Sequence, residues 1–174
     1  MNTLKYLNQY SKELQAQVLT LIETNKLTDH IRKQYPMPHQ VNNDKMLREF
    51  TLELKNRYLR KSDPLSKVVY DNKIHVVNNA LGLHSYASRV QGSKLKSKNE
   101  IRISSAFKRA PEAFLKMIVV HELAHLKEKD HNKAFYKLCC HMLPNYHQLE
   151  FDMRLYLTHI EFIGEIYPSG DQKC

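Results

Sequence analysis

Apolar residues recur at helical spacing through the first third of the chain. Over residues 4–22 they form a single stripe, which predicts one amphipathic helix with Ser11 as its weakest position. Asn43 is a favourable N-cap residue, and a second helix is predicted to run from it to about Lys61. Residues 1–65 are therefore expected to form a helical N-terminal segment.

The middle of the chain changes to the two-residue periodicity of β-strands. Residues 68–77 are typical of a β-hairpin with its turn at residues 71–73, and residues 83–91 are a candidate for a further strand. The basic stretch 92–99 is predicted to be a flexible loop. Over residues 100–104 apolar and polar positions alternate, as they do in a half-buried strand.

Helical periodicity returns after Pro111, a residue that suits the first turn of a helix. This helix is expected to continue to about Lys129, and a helix capped by Asp130 is expected to follow over residues 131–142. A last helix is predicted over residues 148–163. With only four glycines among 174 residues, the chain lacks the tight turns that an all-β fold would need.

The segment 121–125 reads His-Glu-Leu-Ala-His and carries the candidate chemistry. His121 and His125 are four residues apart, so on a helix their rings lie on one face and can bind one metal ion. Glu122 lies at the edge of that face, where its carboxylate can accept a proton from a metal-bound water. The surrounding helix is strongly apolar, and buried histidines and carboxylates cost free energy unless they are paired. The pattern therefore predicts a catalytic metal site with Glu122 as general base.

A catalytic zinc site of this kind has three protein ligands and leaves one position for water. His131 is the first choice for the third ligand, because a turn at the predicted end of the helix would bring its ring back towards the metal. No glycine lies between His125 and His131 to help make that turn. The rival ligands are Glu150, Asp152, Glu161, His141 and His147.

Composition and charge narrow the range of partners. The formal net charge of +9 favours polyanions, but the charges are scattered, with the densest runs near residues 55–61 and 94–98, so nucleic acid is an alternative partner that is not favoured. The three cysteines, two of them adjacent, do not form a disulfide framework. Together with the absence of a signal-peptide segment or a membrane-length apolar run, they predict a cytoplasmic protein without a membrane partner.

The run IVVHELAHL at residues 118–126, followed by DHNKAFY at residues 130–136, resembles the YgjP-like metallopeptidase family. That family is related in its active-site helix to SprT-like and other small zincins, and the resemblance covers about residues 68–150. It implies an α+β, zincin-like fold, in which a small twisted sheet packs on the HExxH helix between additional N- and C-terminal helices. On this basis residues 66–174 are expected to be the metallopeptidase domain.

The same resemblance implies a zinc ion bound by His121, His125 and His131, with Glu122 as the general base. Three functions are then compatible with the sequence. The main prediction is a zinc metallopeptidase acting on a peptide or protein, in which strand 100–104 could pair with an extended substrate. The first alternative is a metal-dependent nucleotide phosphoanhydride hydrolase, with Lys94, Lys96 and Lys98 holding the phosphates. The second alternative is a non-enzymatic nucleic-acid-binding module with a structural zinc.

Overall fold

Helices dominate the fold, and the computed structural model describes residues 4–74, 82–91 and 94–167. Six α-helices and three β-strands lie within these ranges. The helices are α1 (Lys12–Glu23), α2 (Leu27–Gln34), α3 (Asp44–Tyr58), α4 (Glu112–Ala124), α5 (Lys133–Met142) and α6 (Tyr146–Phe162). The strands are β1 (Leu65–Asp71), β2 (Gly82–Gln91) and β3 (Lys94–Ser104), and short 3₁₀ turns occupy Lys5–Leu7 and Ser105–Arg109.

The described strands form one sheet in the order β1-β3-β2, so β3 is the central strand. β1 runs parallel to β3, and β2 runs antiparallel to it. β1 contains the first arm of the predicted hairpin, but its partner in the structure is β3; the second arm, at residues 74–77, lies almost entirely outside the described residues. The strand predicted at residues 83–91 is confirmed as β2.

The basic stretch 92–99 was expected to be a loop, and that prediction is wrong for most of its length. Lys94 already pairs with Gln91, and the pairing with β2 continues along β3 as far as Ile103. The stretch lacks the alternation of apolar residues by which strands are recognised in a sequence. Backbone hydrogen bonds to β2 make it a strand nevertheless, because strand formation depends more on cross-strand neighbours than on intrinsic preference.

The first predicted helix is interrupted at the position that the sequence marked as weak. Residues Lys5–Leu7 form a 3₁₀ turn, and α1 begins only after Ser11, whose hydroxyl accepts a hydrogen bond from the Leu14 amide at 3.2 Å. A serine that caps a helix in this way cannot continue a helix through itself. The cap predicted at Asn43 is confirmed, since its side chain accepts a hydrogen bond from the Met46 amide at 2.9 Å.

Helix α4 carries the HExxH segment through the centre of the molecule. It begins after Pro111, as predicted, and packs against β2, β3 and α6. Ile101 and Ile103 of the central strand are fully buried. Residues 117–120 are all buried, although they point in different directions around the helix, which explains why the stretch directly before His121 is continuously apolar rather than amphipathic.

The structure is therefore an α+β fold in which a small sheet packs on the HExxH helix, as expected for a zincin-like protein. Leu7, Leu27 and Leu47 of the N-terminal helices are fully buried in the same hydrophobic core as Phe114 of α4. The division into residues 1–65 and 66–174 stays a prediction. Among the described helices, none combines the length and the apolar character that crossing a membrane requires.

Candidate metal centre

Three histidine side chains converge at the end of α4. The Nε2 atom of His131 lies 3.1 Å from Nε2 of His125 and 3.1 Å from Nε2 of His121. The ligand atoms of all three residues lie within 4.8 Å of one another. The structure thus brings together the three residues that the sequence singled out, each presenting the same ring nitrogen to a common point.

This arrangement fits a divalent metal such as zinc. Zinc–nitrogen bonds of 2.0–2.1 Å in tetrahedral geometry place two ligand nitrogens about 3.3 Å apart, close to the observed spacing. Burial, followed by the proximity of His125 and His131, lowers the pKa of His121 to about 3. An imidazole with so low a pKa is neutral at physiological pH and has the free lone pair that a metal requires.

The turn that returns His131 to the site begins earlier than the sequence predicted. Helix α4 ends at Ala124 rather than near Lys129, and the amide of Glu128 donates back to the Ala124 carbonyl at 3.0 Å. No residue from 126 to 131 has a positive φ, so the turn needs no glycine. The segment between His125 and His131 is short and forms a tight turn, which brings His131 close to His125.

The start of α5 also differs from the prediction, and the difference places His131 outside the helix. The N-cap is Asn132 rather than Asp130, because the Asn132 side chain accepts a hydrogen bond from the Phe135 amide at 2.9 Å. His131 is consequently not a helical residue and is exposed on one side. It can face His121 of α4 and His125, the residue that caps α4, without breaking a helical hydrogen bond.

Hydrogen bonds on the far side of the rings orient two of the histidines. Nδ1 of His125 lies 2.9 Å from the carbonyl oxygen of Glu128, which can only accept, so Nδ1 carries the proton and Nε2 is free to bind metal. Nδ1 of His121 lies 2.7 Å from the hydroxyl of Tyr146. The Phe135 ring packs against all three histidines, with its centroid 4.6 to 4.9 Å from each of the three imidazole centroids.

The general-base candidate, Glu122, follows His121 on α4 and is only 3% exposed. A carboxylate enclosed so fully is unusual unless it has a charge or a hydrogen-bond donor beside it. Its place in the HExxH helix is the one from which it would reach a water bound at the fourth position of the metal.

The rival ligands lie outside the histidine cluster and have other contacts. Glu150 pairs with Arg154 at 3.3 Å, and Asp152 accepts hydrogen bonds from Tyr35 and Gln148. Glu161 pairs with Lys5 at 2.6 Å. His141 and His147 are exposed and lie against the rings of Tyr58 and Tyr136, respectively.

Tyr146 and Phe135 are the site residues that the sequence did not identify. Tyr146 lies in the first turn of α6, which begins two residues earlier than predicted, directly after Pro144-Asn145. Proline near a helix start is a recognised signal that would have placed Tyr146 in the helix. Tyr156 and Arg154, on the same helix, have other contacts: Tyr156 packs on Phe114, and Arg154 contacts Glu150.

We expect the metal-free protein to lose stability as the pH falls below about 6.5. Burial lowers the pKa of both His121 and His39 in the folded state, whereas both titrate near 6.5 in the unfolded chain. The unfolded chain therefore binds protons that the folded chain does not. Stability is complete above pH 6.5 and declines towards pH 3, by up to about 1.4 kcal/mol per pH unit for one such group. Thermal unfolding in the presence of EDTA between pH 8 and pH 4 measures this loss.

His121→Asn is the matched control for the pH dependence, because asparagine keeps a donor near the Tyr146 hydroxyl without the titratable ring. Its melting temperature should depend less steeply on pH than that of the parent protein. Identical slopes for the two proteins would show that His121 is not responsible.

The fold and the site together define a metal-dependent hydrolase of the zincin class. The chain belongs to the YgjP-like, metallopeptidase domain family, because the model of that family matches residues 6–155. The family resemblance is therefore confirmed. It is 60% identical over 160 residues to a curated protein named UTP pyrophosphatase from Escherichia coli (strain K12). The aligned region covers 92% of this chain and 96% of that relative. No solved structure gives a significant match.

Proposed function

We propose that this chain is a zinc-dependent nucleoside triphosphate pyrophosphatase, with UTP or a closely similar nucleotide as its substrate. The relative that is 60% identical carries the name UTP pyrophosphatase, and the identity extends over nearly the full length of both chains. The function that the sequence favoured first, peptide hydrolysis, becomes the second candidate. The observation that carries the catalytic part of the proposal is the convergence of His121, His125 and His131 on one point.

The position of β3 in the sheet also counts against a peptide substrate bound in the way first expected. Residues 100–104 were expected to pair with an extended peptide, but residues 100–103 already pair with β1 on one side and with β2 on the other, and Ser104 pairs with β1. A strand paired on both sides has no free edge for a substrate. That expectation is therefore wrong.

The proposed reaction needs a nucleophile and a proton acceptor at the histidine cluster. His121, His125 and His131 would hold a divalent metal, which would lower the pKa of a bound water and stabilise negative charge on a phosphoryl oxygen. Glu122 accepts a proton from the attacking water while the oxygen of that water forms a bond to the α-phosphorus. The bond from that phosphorus to the bridging oxygen breaks, and the products are a nucleoside monophosphate and pyrophosphate.

The triphosphate itself requires positive charge, and the chain has a formal net charge of +9. Lys94, Lys96 and Lys98 are the proposed phosphate-binding residues, and all three belong to β3, one of the strands that pack on α4. The backbone register also pairs Lys96 with Arg89 of β2, which adds a fourth basic residue to this part of the sheet. The nucleic-acid-binding alternative has less support, since a structural zinc has four protein ligands and the cluster found in the described residues has three.

A substrate panel tests the proposal. We expect the zinc-loaded protein to convert UTP to UMP and pyrophosphate, measured by ion-exchange chromatography, with little or no cleavage of casein or of a mixed peptide library. Treatment with a chelator should abolish the activity, and adding back zinc should restore it. Manganese, cobalt and magnesium are added in parallel to identify the metal that supports the highest rate.

The Glu122→Gln variant, purified in the same way, controls for contaminating phosphatases. Cleavage of casein without any release of pyrophosphate from nucleotides would overturn the proposal and restore the peptidase prediction. Pyrophosphate release that is the same in the parent, in Glu122→Gln and in His131→Ala would assign the activity to a contaminant.

A further inference from the structure

A buried chain of polar side chains leads away from the metal site along α6. Tyr146 is fully buried, and its hydroxyl lies 2.7 Å from Nδ1 of His121. When Nε2 of His121 binds a metal, Nδ1 carries the proton and donates it to the tyrosine oxygen. The proton of the tyrosine hydroxyl then needs an acceptor of its own, because a buried donor without an acceptor costs free energy.

Glu150, one helical turn further along α6, is the carboxylate placed to supply that acceptor, because residues four apart lie on one face of a helix. Arg154, one turn beyond, pairs with the same carboxylate, Nη2 to Oε1, at 3.3 Å. Residues spaced by four share one face of a helix, so the three side chains form a continuous line. The side chains of Glu150 and Arg154 are only 15% and 9% exposed, respectively.

The line of contacts ends in the N-terminal segment. Nη1 of Arg154 donates to the backbone carbonyl of Tyr6 at 3.2 Å. Tyr6 lies in the 3₁₀ turn, which is flanked by the buried Leu4 and contains the buried Leu7. The N-terminal turn therefore fixes the guanidinium that pairs with Glu150.

Stability alone does not explain the buried ion pair between Arg154 and Glu150. A buried Arg–Glu pair gains little net free energy, because the loss of solvation offsets the attraction between the charges. The Nε atom of Arg154 is also buried and has no hydrogen-bond partner. A role at the metal site would account for keeping such a pair.

We propose that Tyr146, Glu150 and Arg154 are positioning residues for the metal, holding His121 in the tautomer and orientation that present Nε2 to the ion. This inference rests on the proposed metal site. Partners of this kind behind a metal-binding histidine raise its basicity and commonly change metal affinity about 10- to 100-fold. They act through His121 and touch neither the substrate nor the metal.

Tyr146→Phe tests the proposal, because it removes one hydroxyl and keeps the ring that fills the core. We expect zinc affinity, measured by competition with a chromophoric chelator, to fall about 10- to 100-fold. The absorption spectrum of the cobalt-substituted protein should shift as well, because the His121 ring is less firmly held. Circular dichroism and melting of the metal-free variant establish that it is folded.

Tyr156→Phe is the matched control. Tyr156 is a fully buried tyrosine on the same helix, and its hydroxyl has no hydrogen-bond partner. Loss of this hydroxyl should leave zinc affinity and the cobalt spectrum unchanged. If Tyr146→Phe fails to fold, Glu150→Gln serves in its place, since it keeps the shape of the side chain, removes its charge and is expected to weaken zinc binding in the same direction.

Parental zinc affinity in both Tyr146→Phe and Glu150→Gln would overturn the proposal and show that these side chains only fill space. That result is distinguishable from failure of the metal site itself. If only the positioning proposal fails, the parent protein binds zinc and His131→Ala does not. If the metal site itself fails, the parent protein also does not bind zinc.

Discussion

Glu122→Gln is expected to stop hydrolysis while leaving the metal bound. Glutamine has the same shape as glutamate but cannot accept the proton of the attacking water, and a positioned general base contributes about 10²- to 10⁴-fold to a rate. The three histidine nitrogens are untouched by the change, so metal content should stay near one ion per chain. The rate constant for UTP hydrolysis and the zinc content by mass spectrometry are measured on the same preparation.

Glu112→Gln is the matched control for this experiment, because Glu112 is an exposed glutamate in the first turn of the same helix. It should hydrolyse UTP at the parental rate. Full activity in Glu122→Gln, with His131→Ala inactive, would show that another group accepts the proton. Loss of the metal along with the activity would assign Glu122 to metal binding or to folding instead of proton transfer.

The histidine cluster could be predicted from the sequence because it is built locally. His121 and His125 are brought together by helical geometry alone, and His131 follows after a single turn. Only the details of that turn were misjudged. The cap lies at Asn132 instead of Asp130, a choice that depends on which side chain reaches a free amide and not on residue type.

The parts that were missed depend on contacts between distant segments. Tyr146 lies 25 positions beyond His121 along the chain, and no spacing rule connects a tyrosine on one helix to a histidine on another. The sheet order is a similar case. Whether β1 pairs with the strand next to it in sequence or with β3 depends on the packing of α3 and α4 around the sheet, and the sequence pattern is the same for both arrangements.

The HExxH motif does not identify the substrate, because the substrate is also bound by residues from distant segments of the chain. An HExxH helix with a third histidine prepares a water molecule, and that water can attack a carbonyl carbon or a phosphorus atom. Which of these is placed beside it depends on the surrounding surface. The central position of β3 removes one peptide-binding edge, and the proposed triphosphate substrate rests on the 60% identical relative and not on the motif.

His131→Ala is expected to abolish tight metal binding with little effect on the fold. Structural zinc sites bind with about 10–16 kcal/mol in total, so one of four ligands accounts for about 2.5–4 kcal/mol, or about two to three orders of magnitude in affinity. His131 is the most informative of the three ligands because it is exposed and precedes α5, whereas His121 lies in the core helix and its loss would disturb packing. Zinc affinity is measured by chelator competition, and the fold by circular dichroism.

His141→Ala, which removes an exposed histidine on α5 that lies outside the cluster, is the control and should bind zinc like the parent. If His131→Ala also binds zinc like the parent, the third ligand is a different residue, and the proposed three-histidine metal site is wrong.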